Sequence, residues 1–483
     1  MQNRKINNLH GYLTVYLSLI LTVMISLCLT LILGVRENTR RMQIECVTDI
    51  GMNNILAEYH RELFKQYGLF FIDTSYGSDV ASYEETGRHL KHYVQMNLEG
   101  DDILLSSLLY RDLLKLKVNK VGILDVSVAS DEEGEVLRRQ AVDVIKQKSG
   151  VSYVQEVQNW YTIVQTYKLT ERDVFQEQKE ARTKLESWNG TIVMDNGMKK
   201  EVQVAVPGAN ITSFWEAGVL SLVVDDIATL SNQSVDLNSY ISERTILPGT
   251  GIPESIVFED NWVDQLLFHE YVLCYTGRYD QQKDHSLLKY QTEYILTGKN
   301  NDLQNLKSIV YKLLALRAAA NMIYLTNDAE KMKLTELAAQ LLASLILLPQ
   351  TAPLFQTVLV LTWAMAESLY DVTQLFHGNR IPLMKTKYSW HYSLEEILSL
   401  NGMVIQKNPK SGLCYSDYLR ILLCLQKKET TTFRLMNIME MDIRQTKGNS
   451  FFRMDGCIDS IRAVIEFAGK DKKTYTIERT YGY

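Results

Sequence analysis

From Leu13 to Val35 the chain runs without a charged side chain, and fourteen of these positions are Leu, Ile or Val. Wound as an α-helix at 1.5 Å per residue, such a run is about 34 Å long, enough for a hydrocarbon core of about 30 Å. The pattern predicts a transmembrane helix over 13–35 behind a short cytoplasmic segment, 1–12. A cleaved secretory signal has a shorter apolar part and a small-x-small site; Ile32-Leu33-Gly34-Val35-Arg36 offers none, so the anchor is read as retained. Arg4 and Lys5 before the run are matched by Arg36, Arg40 and Arg41 after it, leaving little positive-inside bias. Large C-terminal domains are translocated largely regardless of charge, so the bulk of the chain is expected outside the cytoplasm, with single-pass anchoring in the cell membrane.

Beyond the anchor, Val47, Ile50, Ile55, Tyr59, Leu63 and Tyr67 recur at spacings of three to five, predicting a helical stalk over 36–68 that pauses near Gly51 and ends at Gly68. Residues 69–247 read as mixed α+β. Helices are expected over 82–97 and 131–187, the second opening on Asp131-Glu132-Glu133. Strands are expected over 117–126, 191–194, 202–206 and 255–258. Leu247-Pro248-Gly249-Thr250-Gly251-Ile252-Pro253 is dense in chain punctuation and marks a domain boundary. Residues 254–441 are mainly helical, with Leu303, Leu306, Ile309, Val310, Leu313, Leu314 and Leu316 on one wide apolar face. Residues 337–366 carry no charge, but Pro349 and Pro353 cut the run into pieces too short to span, so a buried helical hairpin is expected. Over 450–483, strands at 460–467 and 473–479 flank Gly469-Lys470-Asp471-Lys472 as a β-hairpin. The fold class is α+β.

The chain has 483 residues and a net charge of −6, without a long basic block, which argues against nucleic-acid binding. Six cysteines without CxxC spacing read as small buried hydrophobes rather than a metal or disulfide framework. His89 and His92 share a helical face but lack further zinc ligands, and HExxH, GxSxG, GxxxxGK[ST] and GxGxxG patterns are all missing. In Asp101-Asp102, Asp225-Asp226 and Glu395-Glu396 the carboxylates are adjacent and point apart; the first and last pairs suit helix starts. No catalytic, cofactor-binding or metal residue is nominated, and a non-enzymatic protein is expected. Leu247 to Gly251 spells an LPxTG-like sequence, resembling a sortase signal. The apolar tail that should follow it is missing, so it is read as a loop. The 27 tyrosines, including Tyr415, Tyr418, Tyr475, Tyr481 and Tyr483, suit half-buried surfaces or protein contacts. Ser18, Thr22, Ser26 and Thr30 recur every four residues in the bilayer helix, a stripe that permits close helix packing and homo-oligomers.

Gly11-Tyr12-Leu13-Thr14-Val15-Tyr16, Asn54 to Tyr59 and Glu62 to Phe70 resemble a family of single-span Gram-positive membrane proteins. That family is comparable with the TadE/TadG-like minor pseudopilins of tight-adherence (Tad/Flp) pilus systems. Glu293 to Gly298, Leu316-Arg317 with Asn321, Trp363 to Ser368 and Tyr415 to Arg420 fit the same family. The resemblance implies a membrane-anchored extracytoplasmic component of a Tad-like pilus or secretion apparatus, partnered by the membrane and other proteins of that system. It also implies prepilin-type processing between Gly11 and Tyr12. Tyr16 stands where such signals carry Glu, which points to an unprocessed or minor component. The alternatives are a surface-binding or adhesion module presenting the tyrosine-rich C-terminal hairpin, and a membrane-tethered hydrolase whose site is assembled only by the fold.

Overall fold

The computed structural model describes residues 5–99, 116–148, 154–193, 199–207, 218–251, 261–398, 411–469 and 471–483. The fold is α+β, and the chain divides into two interleaved units. The first comprises Met1–Val136, Ile246–Phe258 and Thr446–Tyr483; the second comprises Leu137–Thr245 and Glu259–Gln445.

The first unit is built on one helix, α1 (Lys5–Leu56), which is long and apolar enough in its first half to cross a membrane. It does not pause at Gly51. A β-carbon there would lie 2.5 Å from Val94 Cγ2, so the glycine serves the close approach of α3 (Tyr83–Glu99) rather than a break. A short helix, α2 (Arg61–Tyr67), follows and ends at Gly68 in the left-handed region, as the spacing predicts. Strands β1 (Ile72–Asp73), β2 (Leu116–Val128), β3 (Cys457–Gly469) and β4 (Thr474–Gly482) form an antiparallel sheet in which β3 pairs with each of the others. Ile461, Ala463, Ile465 and Phe467 alternate along β3 and face the core with Ile44, Val47, Met52 and Ile55 of α1 and Leu90 and Val94 of α3. The C-terminal hairpin therefore seals the stalk. Along α1, Glu37 accepts from Tyr475 Oη at 3.0 Å, Arg40 pairs with Asp471 at 2.7 Å and Asp49 with Arg479 at 3.3 Å. The Tyr483 hydroxyl donates to the Leu56 carbonyl.

The expected helix over 131–187 is three helices: α4 (Asp131–Lys148), α5 (Val154–Thr166) and α6 (Val174–Glu186). Asp131-Glu132-Glu133 is not an ordinary helix start, because Glu132, Glu133 and Gly134 have φ of 50°, 55° and 81°. This left-handed turn aims the Asp131 carboxylate backwards, where Oδ2 accepts the Val128 N–H at 2.9 Å and Oδ1 the Gly249 N–H at 2.9 Å. The strand predicted over 191–194 is found as Gly190–Val193, but its partner is Lys199–Val202, and the predicted 202–206 is irregular past Val202, where the Val204 N–H donates to the Asn189 side chain at 2.6 Å instead of a ladder. The predicted strand 255–258 and the Asp101-Asp102 pair lie outside the described residues.

Further helices of the second unit include α7 (Trp262–Tyr275), α8 (Gln291–Thr297), α9 (Asp302–Asn327), α10 (Ala329–Leu345), α11 (Ala352–Phe376) and α12 (Tyr415–Cys424). α11 packs chiefly against α9, α10 and α6 and is buried continuously from Val358 to Phe376, while α13 (Lys428–Arg444) packs against α8. Asn301 and Asp328 cap α9 and α10 by accepting the Gln304 and Lys331 N–H groups, each at 3.1 Å. α10 and α11 are joined through Leu347 and a 3₁₀ turn, Pro349–Thr351, forming the hairpin expected from the charge-free run. Of this hairpin, α11 is buried from Val358 onward, whereas α10 keeps a leucine face in solvent.

Candidate functional site

The sequence-derived site residues on α1 sit on its exposed apolar stretch. Tyr12 is exposed, and the backbone around Gly11 is helical, so a cut between them would fall inside α1. Three hydroxyls of the four-residue stripe bond back to their own helix. Ser18 donates to Val15 O at 2.8 Å, Thr22 to Ser18 O at 2.7 Å, and Thr30 to Leu27 O at 2.8 Å. Those three hydroxyls are thus satisfied within the helix itself.

Far along the chain, residues dispersed over a hundred positions meet in one buried ionic cluster of the second unit. Arg317 on α9 donates to Asp371 Oδ2 through Nε at 3.0 Å and Nη2 at 2.9 Å. Its Nη1 donates to the carbonyls of Pro382 and Leu383, at 3.0 and 2.6 Å, and to Tyr418 Oη at 3.2 Å. Asn321, one turn along, donates to the same Asp371 oxygen at 3.1 Å. Lys385 Nζ lies 2.6 Å from both Glu367 Oε1 and Asp371 Oδ1. Glu367 also accepts the backbone N–H groups of His391 and Tyr392, at 2.9 and 3.0 Å. Burial pushes the Glu367 carboxyl above the ordinary range against the pull of Lys385. Burial pushes on Asp371 as well, but Lys385 and Arg317 together hold its carboxyl below it.

Two cations against two carboxylates, sealed from water, make a lock that ties the 381–392 segment to α9 and α11. Trp363 and Trp390 add to it by donating to the same Tyr392 carbonyl, at 3.0 and 2.8 Å. Residues 197–469, more than half the chain, match a family of unknown function, DUF5702. The chain belongs to DUF5702. The family stretch holds every member of the lock and leaves α1 outside it. No curated protein and no solved structure matches the chain.

Within the DUF5702 stretch, Glu293 on α8 is fully buried. Its Oε1 accepts the Tyr279 N–H and the Tyr415 hydroxyl, both at 2.8 Å, while Oε2 has no hydrogen-bond partner among the described residues. Burial, opposed by those two donors, raises its pKa to about 7. Cys424 Sγ lies 3.5 Å from His269 Nδ1, but burial lifts the thiol to about 12 and drops the imidazole to about 4. A nucleophilic thiolate needs the opposite shifts, so this pair is held neutral. Cysteines are less buried than expected: Cys28, Cys46 and Cys274 are exposed and only Cys457 is buried.

The other residues singled out from the sequence are separate. His89 contacts Glu58, which also accepts the Tyr93 hydroxyl at 2.6 Å and that of Tyr76 at 3.1 Å. Among the described residues, no group of three His, Cys, Asp or Glu side chains is placed to hold a metal. Asp226 caps a 3₁₀ turn, and Asp225 faces His377. Glu396 accepts the Ser393 N–H at 2.7 Å, at a helix start. The sortase-like segment is tied down through its backbone: Leu247 N–H donates to Asp455 at 2.8 Å and Thr250 N–H to Val126 O at 3.0 Å. A β-carbon on Gly249 would lie 2.7 Å from Val126 O and closer still to Asp131. An extended conformation in a peptidase groove would require all these bonds to break.

Proposed function

We propose that the protein is a non-enzymatic, membrane-anchored component of a Tad-like pilus or secretion apparatus, with its bulk outside the cytoplasm. It acts through helix packing in the bilayer and protein contacts beyond it. The observation that carries this reading is α1, whose residues from Tyr12 to Val35 are exposed leucine, isoleucine and valine for the most part and which continues unbroken into a stalk clamped by the C-terminal hairpin. One rod shared between lipid and a folded outer unit suits a subunit that packs beside other membrane helices. The clamp also bears on the adhesion alternative, because Tyr475, Tyr481 and Tyr483 are packed against the stalk core rather than presented outward.

The test is crosslinking in intact cells from the anchor stripe, combined with a reporter at Tyr483 that is active only outside the cytoplasm. Recovery of pilus-system or secretion-system proteins together with an active reporter is expected. A silent but stable fusion overturns the orientation, and a crosslinked set lacking such proteins overturns the assembly role. The mass of the mature N-terminus reports processing separately: an intact Met1 segment rules out cleavage between Gly11 and Tyr12.

A further inference from the structure

The second unit carries an apolar surface that its own fold does not cover. Along α10, Leu334, Leu337, Leu341 and Leu345 follow one another at spacings of three and four on the face opposite the buried Thr335, Ala339 and Ala343. Leu341 and Leu345 are 67% and 75% exposed, and Leu347, at the tip of the hairpin, is 51% exposed. Leu347 has φ of 61°, a left-handed position where Gly or Asn is the low-cost choice. The chain thus retains a leucine in an unfavourable backbone conformation and half exposes its side chain to solvent. Charge is also partitioned: Glu330, Lys331, Lys333 and Glu336 sit at the base of α10, and no ionisable side chain occurs from Leu337 to Ala366.

We propose that the tip of this hairpin dips into the interfacial layer of the lipid bilayer to which the chain is anchored. A convex tip of flexible leucines needs no matching pocket, which a fluid hydrocarbon surface does not offer and a protein partner would have to provide. Bounding an apolar face with Lys and Glu at one end is the division expected of an element that enters a membrane surface without crossing it. Crossing is excluded by Pro349 and Pro353 and by the burial of α11 in protein. The bilayer is also the surface held at high effective concentration by covalent linkage. This inference rests on the anchoring part of the proposed function and is independent of the pilus assignment.

The experiment places a benzophenone-bearing amino acid singly at Leu345, at Lys333 and at Leu21 of the full chain in its native membrane, followed by irradiation and mass analysis of adducts. Lipid adducts at 345 and 21 and none at 333 are expected. Lipid adducts at 21 with a protein adduct, a second copy of the chain or no adduct at 345 overturn the inference and leave the anchor standing. Lipid adducts at 333 as abundant as those at 345 overturn it too, because the contact would not be particular to the leucine tip. Loss of lipid adducts at both 345 and 21 overturns the anchor and the inference together.

Discussion

Replacing Glu293 by Gln removes a buried charge while preserving the size and acceptor of the side chain. The retained Oε1 still accepts from Tyr279 N–H and Tyr415 Oη, and the new amide nitrogen takes the place of an oxygen without a hydrogen-bond partner among the described residues. Burial raises the carboxyl from the ordinary 4.5 to about 7. Each tenfold change in proton affinity is worth about 1.4 kcal/mol, so the folded state is penalised by about 3 kcal/mol once the unfolded chain is ionised. Below pH 4.5 both states hold the proton and there is no penalty. As pH rises towards 7 the unfolded state releases its proton first, so stability falls; above about 7 the penalty is complete.

Glu293→Gln is expected to remove that dependence. Against the gain stands about 1 kcal/mol for an amide left without an acceptor, giving a net stabilisation of about 2 kcal/mol at pH 8 and a small loss near pH 4. Urea unfolding of the detergent-solubilised full chain, followed by tryptophan fluorescence between pH 4 and 8, reads the correct region because Trp363 and Trp390 are buried in the same unit. An unchanged pH slope, or a variant less stable than wild type at pH 8, would show that burial does not raise the Glu293 carboxyl in the fold and refute the reasoning.

Arg317→Met should cost about 3–5 kcal/mol, because it strips Asp371 of its guanidinium inside a sealed core; urea unfolding checks it, and a loss under about 1 kcal/mol contradicts the lock. Gly51→Ala should destabilise the α1–α3 contact by about 1–3 kcal/mol through overpacking. Adding Val94→Ala should relieve it, and failure of that rescue would place the clash elsewhere. Thr22→Leu with Ser26→Leu should reduce crosslinking between anchor helices, and unchanged yields would discard the stripe as a packing face. Cys424 should resist alkylation at pH 8, since burial lifts its thiol to about 12; labelling faster than that of exposed Cys46 would contradict the neutral Cys–His pair.

The local elements were readable where periodicity and punctuation agree. The long apolar N-terminal helix, the helix ending at Gly68, strand β2 and the C-terminal hairpin each follow from spacing that a helix or strand alone could satisfy. Gly51 was not readable, because a glycine that breaks a helix and one that admits a neighbour look alike until Val94 is in place. Asp131-Glu132-Glu133 misled for a related reason: acidic residues favour a helix start, but tertiary hydrogen bonds to Gly249 and Val128 hold them left-handed instead. The lock was half legible. Arg317, Asn321, Glu367 and Tyr418 lie in segments that stand out, and Asp371 follows Glu367 by one helical turn in an otherwise apolar helix. Lys385 lies in an irregular segment, where no period could announce it. Interleaving of the two units is likewise invisible to local pattern, since β3, the strand at the centre of the first sheet, comes near the end of the chain.

The lock also bears on how this chain resolves its own apolar excess. Besides α1, the segments Asp302–Asn327 and Pro349–Phe376 are long and apolar enough to cross a membrane by composition. An Arg or Asp at the centre of a membrane helix costs about 2.5–3.5 kcal/mol on the insertion scale, and Arg317 lies near the middle of one segment while Glu367 and Asp371 lie in the other. Inserted separately, each helix would take uncompensated charge into lipid. Packed together with Lys385, the same four groups satisfy one another and make the two helices inseparable. α1 has no comparable group between Leu13 and Val35, so nothing opposes its entry into the bilayer. The position of a few ionisable residues, together with a mean hydropathy of 2.5 against 1.2 for each of the others, thus separates the helix suited to lipid from two that are suited to a protein core.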